Sequence, residues 1–167
     1  MDKKTTISDA TGRPKASSKI VVINDDSVCL ERIEATIRAC YKDFIELRLF
    51  QDGRDAWQEL LRGDPVFLIT SDKMPGTSGE EICQRLLARG ATFPIIVTSD
   101  WPPTAQWVSE CKSRGLNVDL LTMPFHAETL RQVLLSHLII ANPPYGDSST
   151  AKLTALTPPS RQGNLPP

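Results

Sequence analysis

The sequence has no surplus of charge of either sign, since 19 lysines and arginines balance 20 aspartates and glutamates over 167 residues. Binding to nucleic acid through counterion release needs a basic surplus, so we expect no nucleic-acid partner. No apolar run reaches the ~20 residues that cross a bilayer, because the longest tract, 134–141, contains Ser136 and His137. The polar amino terminus lacks the apolar segment of a signal peptide. These absences predict a cytoplasmic protein without membrane association.

Cysteine and histidine are also scarce, with four cysteines and two histidines. The cysteines form no CxxC pair, and nothing local brings them near a histidine, so the sequence gives no indication of a zinc site. Four cysteines in a chain of this length do not make a disulfide framework. We therefore expect reduced thiols at Cys29, Cys40, Cys83 and Cys111.

Both ends of the sequence are poor in residues that could build a core. Residues 1–18 carry one large aliphatic side chain, Ile7, and residues 142–167 hold six of the thirteen prolines. Neither end offers enough apolar surface to offset the entropy lost on ordering. The sequence predicts flexible tails at 1–18 and 142–167 around one folded domain at 19–141, with no room for a second domain.

Between the tails, short apolar runs alternate with segments of helical periodicity. Such a rhythm predicts a doubly wound parallel sheet of five strands, with helices on both faces in three α/β/α layers. The second run alternates apolar and charged residues, which is typical of an edge strand. Predicted strands cover 20–23, 45–49, 66–70, 94–98 and 118–122, and predicted helices follow at about 30–40, 56–61, 78–90, 104–113 and 130–138.

In parallel sheets of this kind, functional sites form beyond the carboxyl ends of the strands. The turn after the first predicted strand, Asn24-Asp25-Asp26-Ser27, is acidic and has no glycine. Nucleotide phosphates need close backbone approach through glycine, so flavin, NAD and ATP are disfavoured. The carboxylates suit a hard cation such as Mg²⁺, or they cap the first helix.

Three further segments follow or end predicted strands and carry distinctive residues. Met74-Pro75-Gly76-Thr77-Ser78-Gly79 follows the third strand, Thr98-Ser99 ends the fourth, and Met123-Pro124-Phe125 follows the fifth. Over 19–141 the set resembles the CheY-like receiver domain of two-component response regulators. The resemblance implies a flavodoxin-like (βα)5 fold. It also implies an acceptor aspartate after the third strand, two Mg²⁺-binding acids after the first, a lysine before the last proline and an aromatic switch residue.

Several of the implied positions carry other residues. The acceptor register, three residues before Met74, falls on Ser71, with Asp72 displaced by one. Met123 replaces the lysine and Leu120 the switch aromatic, whereas Thr98 fits the small hydroxyl position. The acidic pair falls either on Asn24 and Asp25 or on Asp25 and Asp26. We expect at most a weak Mg²⁺ site there, and no other cofactor.

The sequence therefore favours an atypical, degenerate receiver without enzymatic activity that acts through protein–protein contacts. Expected partners are a histidine kinase, a phosphotransfer protein or a downstream signalling protein, for a monomer or weak dimer. The predicted contact residues lie on the fourth helix, fifth strand and fifth helix or in the preceding loop, and core packing is the alternative for each: Trp101, Trp107, Leu116, Leu120 and Phe125.

Two other functions stay open. A phosphorylatable stand-alone receiver would use Asp72 as acceptor, assisted by Mg²⁺, Thr98 and the acids after the first strand, provided that a bulge or an early strand end re-aims the Asp72 carboxylate. A small phosphatase with Asp25 as its nucleophile would need further acidic loops and a lysine that a chain of this length scarcely supplies.

Overall fold

A computed structural model describes residues 4–13, 15, 18–101 and 105–139, and strands and helices alternate along this described part of the chain. The elements are β1 (Thr5–Thr6), β2 (Lys19–Ile23), α1 (Ser27–Tyr41), β3 (Glu46–Phe50), α2 (Gly53–Arg62), β4 (Phe67–Ser71), α3 (Gly79–Arg89), β5 (Ile95–Ser99), α4 (Gln106–Ser113), β6 (Val118–Thr122), α5 (Ala127–His137) and β7 (Leu138–Ile139).

Five of the strands form one parallel sheet in the order β3-β2-β4-β5-β6. This confirms the predicted doubly wound α/β fold, and each predicted strand matches the observed one within one residue. The second predicted strand lies at a sheet edge, as its alternating pattern indicated. The fourth helix begins at Gln106, two residues later than predicted, and 102–104 lie outside the described residues.

The sheet separates two apolar layers because successive side chains of a strand point to opposite faces. On one face, side chains such as Val21, Leu68 and Val97 pack against α2, α3 and α4. On the other, Val22, Ile69 and their neighbours pack against α1 and α5. This alternation decides on which side each residue at a strand end lies.

All four cysteines are free thiols, as predicted, with three buried and Cys40 half-buried. Burial raises the pKa of the Cys29, Cys40, Cys83 and Cys111 thiols. The described helices are each too short or too polar to cross a bilayer.

The amino-terminal segment packs onto the domain, which differs from the prediction of a flexible tail at 1–18. Strand β1 pairs in parallel with β7, and the backbone N–H of Ile7 donates to the Ile139 carbonyl at 3.0 Å. The Ile7 side chain is 0% exposed and joins the layer beneath α1 and α5. The buried Ile7 side chain and the pairing of β1 with β7 thus hold this segment together. The tail predicted at 142–167 lies outside the described residues.

A largely buried ion pair joins the start of β2 to α2. The Lys19 ammonium donates a hydrogen bond to Glu59 at 2.9 Å, and this bond holds the pKa of the Glu59 carboxyl below its ordinary value. Because the pKa of Glu59 is lower in the folded than in the unfolded protein, the ion pair stabilises the fold at pH values above the unfolded pKa of about 4.3. This stabilisation is lost as the pH falls through the folded-state pKa.

We expect Glu59→Gln to lower the urea midpoint near neutral pH, and the difference from the wild type to shrink on acidification through this window. Urea titrations at several pH values measure it, with Glu34→Gln, in the exposed pair with Arg38, as the control. A pH-independent difference would contradict the assignment.

Candidate functional site

The carboxyl ends of the central strands bring the predicted site residues to one edge of the sheet. Ser71 lies opposite Thr98 in the β4–β5 register, and the Met123 backbone N–H donates to the Ser99 carbonyl at 2.8 Å. Asn24 directly follows β2, the neighbour of β4. The edge thus gathers the residues that the sequence placed at the acceptor, hydroxyl, lysine and acidic positions.

Ser71 ends β4 on the side of α1 and α5, in line with Phe67 and Ile69. Its side chain is half-buried, and its Oγ donates to the Lys73 carbonyl at 3.0 Å. A hydroxyl becomes a good nucleophile when an adjacent base takes its proton, and a backbone carbonyl does not do so. Ser71 in this arrangement is a turn-forming residue.

Asp72 lies on the opposite side, facing α4. It is 7% exposed, and its two carboxyl oxygens accept from the Trp107 indole N–H at 3.1 Å and the Ser99 hydroxyl at 3.2 Å. Its backbone N–H donates to the Thr98 carbonyl at 2.8 Å, one residue beyond the end of β4, where the chain begins to bend. Asp72 is therefore a buried group with specific partners rather than a solvated loop acid.

The acidic turn after β2 is used largely to start α1. The Asp26 carboxyl accepts from the Val28 N–H at 2.8 Å, so Asp26 is the helix cap, with Ser27 as the first helical residue. Asn24 is buried, and its amide oxygen accepts from the Asp26 N–H at 2.9 Å while its amide nitrogen contacts Cys29 Sγ at 3.4 Å. Asp25 is exposed.

This donor set does not fit a Mg²⁺ site. A hard cation needs several oxygen ligands that converge and are not already engaged. Here Asn24 and Asp26 are committed to the turn, Ser71 offers a neutral hydroxyl, and Asp72 faces the other side of the sheet. Across the described residues, no group of three or more acidic, histidine or cysteine side chains comes together.

The remaining positions at this edge are apolar or engaged. Met123 is half-buried against the α1 and α5 layer, where its thioether cannot neutralise an anion. Thr98 is buried, with its hydroxyl 3.5 Å from the Thr70 carbonyl. Leu120 is half-buried in the layer beneath α4. The edge therefore lacks a cationic group at the position where the resemblance implies a lysine.

The predicted contact residues differ widely in accessibility. Trp107 and Leu116 are buried, so neither side chain is presented to a partner, and the core alternative describes them better. Phe125 and Leu120 are half-buried. Trp101 is 60% exposed, beside the end of β5.

The sequence did not predict the two hydrogen-bond partners of Asp72, although it placed Trp107 among the contact residues. Ser99 shares a side of the sheet with Asp72, and strand alternation was a signal that could have found it. Trp107 carried no such signal, because its contact depends on how α4 packs across the sheet. A shallow depression of about 310 Å³ opens beside this cluster, lined by Asp72, Lys73, Met74, Ser78 and Glu80.

Comparisons with known proteins show the family to which the chain belongs. A family model described as the response regulator receiver domain matches residues 20–135. The chain is 27% identical over 139 residues to the response regulator MprA of Mycolicibacterium vanbaalenii, covering 81% of this chain and 57% of that protein. A response regulator MprA of Mycobacterium sp. (strain KMS) is 26% identical, with 80% and 56% covered. The chain thus spans a little over half the length of these relatives.

Solved structures show the same fold at low identity. The response regulatory domain of mrkE from Klebsiella pneumoniae superposes with a TM-score of 0.62 at 15% identity, over 71% of this chain and 93% of that one. The chemotaxis protein CheY4 of Vibrio cholerae gives 0.60 at 22% identity, over 74% and 100%. These likenesses show the fold alone.

Proposed function

Because the chain belongs to the response regulator receiver domain family of two-component systems, we propose that it is an atypical member which signals through protein–protein contacts rather than through phosphoryl transfer. In this role it has no enzymatic activity of its own. Its partners are a histidine kinase, a phosphotransfer protein or a downstream signalling protein.

The observation that carries this proposal is the position of Asp72. It is the carboxyl group nearest in sequence to the acceptor register, yet it lies on the α4 side of the sheet and accepts from Trp107 and Ser99. An attacking carboxylate needs an accessible oxygen aimed at the incoming phosphorus. Both oxygens of Asp72 are hydrogen-bonded to interior donors, so this group is ill placed for attack.

Charge at the strand ends supports the same conclusion. Phosphoryl transfer builds up negative charge that fixed cations or donors must stabilise. The acceptor register holds the Ser71 hydroxyl, the lysine register holds the half-buried Met123 thioether, and the acidic turn is engaged in capping α1. Several parts of the transfer machinery are therefore replaced together.

The contact surface in this proposal is the face of α4, β6 and α5. Leu120 and Phe125 are half-buried on it, and the 60% exposed Trp101 lies next to the end of β5. A large aromatic side chain that is mostly exposed is well suited to anchor an interface.

One observation favours a second candidate, a receiver phosphorylated on Asp72. The depression of about 310 Å³ beside Asp72 is also lined by Lys73 and Ser78, which offers a route from solvent and a nearby cation. In that case Asp72 would have to give up its hydrogen bonds to Ser99 and Trp107 before reacting.

Treatment of the full chain with a small phosphodonor, such as acetyl phosphate, in the presence of Mg²⁺ separates the two. We expect no mass increase of one phosphoryl group in intact mass spectra recorded under mild conditions, while a receiver domain known to accept phosphoryl groups is labelled in parallel. Stoichiometric uptake would contradict the proposal. Asp72→Asn and Ser71→Ala would then identify the acceptor, since only the variant lacking that residue would lose the label.

A further inference from the structure

A continuous chain of hydrogen bonds runs from Trp101, just after β5, to Trp107 in the first turn of α4. The Trp101 backbone N–H donates to Ser99 Oγ at 3.2 Å, and the Ser99 hydroxyl donates to Asp72 Oδ2 at 3.2 Å. The other oxygen, Oδ1, accepts from the Trp107 indole N–H at 3.1 Å. This chain joins three elements: the segment after β5, the end of β4 and helix α4.

Within the described residues, helix α4 has no side-chain cap at its amino-terminal end. It spans eight residues, Gln106–Ser113, and the residue before it is Ala105. The buried side chains Trp107, Val108 and Cys111 hold it on the sheet through apolar contacts, which are not directional. The indole bond to Asp72 adds a fixed direction and distance.

Burial makes this polar contact costly to break. Asp72 and Trp107 are each 7% exposed, so a shift of α4 away from β4 would break a hydrogen bond between two largely buried groups. The position of α4 that keeps this bond is therefore favoured over positions in which it is broken.

We propose that the chain Trp101–Ser99–Asp72–Trp107 is a conformational lock that holds α4 in one position and ties that position to the backbone at the exposed Trp101. The signalling role of the lock rests on the proposed function. A receiver that takes no phosphoryl group presents one fixed α4 face. A partner that displaces the Trp101 backbone breaks the lock, and α4 can then move. Asp72 acts here as a positioning residue.

Amide hydrogen exchange of the full chain tests the lock through two variants. Trp107→Phe keeps an aromatic side chain but removes the N–H, and Asp72→Leu removes the acceptor at similar volume. We expect amides of α4, 106–113, to exchange about tenfold faster in both variants, because the fixed contact no longer opposes local opening. Amides of α1 and β2 should keep their wild-type rates.

Ser71→Ala is the matched control, since it changes the neighbouring residue on the opposite side of the sheet, and it should leave α4 exchange unchanged.

Two results would overturn the lock: unchanged α4 exchange in Trp107→Phe, or a uniform rise across the domain that marks general destabilisation. If Asp72→Leu does not fold, Trp107→Phe decides the question alone. Phosphodonor labelling is read on the wild type and does not depend on exchange rates. A failure of the lock and a failure of the phosphorylation-independent function can therefore be told apart.

Discussion

Substitution of Ile7 by alanine is expected to lower the free energy of unfolding by about 3 kcal/mol, within the range for large-to-small changes of a buried isoleucine. The Ile7 side chain is 0% exposed and packs into the layer beneath α1 and α5. Truncation would remove its methylene and methyl groups and leave a cavity that the surrounding helices fill only in part. Urea or thermal unfolding followed by circular dichroism measures the change.

The backbone around Ile7 makes collapse of that cavity difficult. Its N–H donates to the Ile139 carbonyl, and its carbonyl accepts from the Lys15 N–H and the Ser18 hydroxyl, both at 3.1 Å. These bonds fix the segment on two sides, so the backbone cannot move inward without losing them. Most of the expected loss of about 3 kcal/mol in the free energy of unfolding should therefore be observed.

Ile139→Ala is the matched control for this prediction. Ile139 lies on β7, the strand paired with β1, but its side chain is 39% exposed. We expect its truncation to cost under about 1 kcal/mol, because little apolar area returns to water. Equal effects of the two substitutions would show that the amino-terminal segment contributes no specific packing.

Substitution of Gly79 by alanine is expected to destabilise the domain by about 2–3 kcal/mol, the upper part of the range for overpacking. Gly79 begins α3, where a Cβ would fall well inside van der Waals contact of the Ser71 carbonyl oxygen. The obstacle is backbone, which cannot rotate away as a side chain would. To remove this overlap, α3 has to move away from the end of β4. That movement would break the hydrogen bond from the Gly79 N–H to the Asp72 carbonyl, which is 3.2 Å long. Denaturant unfolding gives the magnitude.

Gly63→Ala supplies the comparison, because nothing lies within 4 Å of a Cβ at that position and its backbone is extended. We expect a change within about 0.5 kcal/mol there, as for an ordinary surface substitution. A similarly mild effect at Gly79 would show that the start of α3 is less tightly packed against β4 than the structure indicates. The prediction also gives a physical reason for the second glycine of the Met74–Gly79 segment.

The sheet was predictable because its strands are short apolar runs separated by helical periodicity, and both signals are local. The segment at Thr5–Thr6 was missed for the opposite reason. A two-residue strand has no periodicity, and a single isoleucine in a polar stretch does not reveal that a site exists to receive it. Its partner, Leu138–Ile139, lies more than 130 residues along the chain.

In the candidate site as well, features set by local sequence were predictable and features set by tertiary packing were not. Strand alternation indicates from sequence that Ser71 and Asp72 face opposite sides, and the spacing from Met74 assigns the acceptor register to Ser71. The partners of Asp72 require knowledge of how α4 crosses the sheet, and the burial of Trp107 and Leu116 depends on that same packing. Side-chain accessibility on a face is set by tertiary packing, which residue type and spacing describe only in part.

The pairing of β1 with β7 brings segments near the two ends of the described chain side by side, next to the amino-terminal end of the central sheet. A surface tether attached to the side chain at position 4 or 139 would therefore hold the molecule by the same pole. Trp101 and the carboxyl ends of the strands would then face away from the support. Immobilisation at either of these positions is thus an orientation-controlled way to present Trp101 when candidate binding proteins are screened.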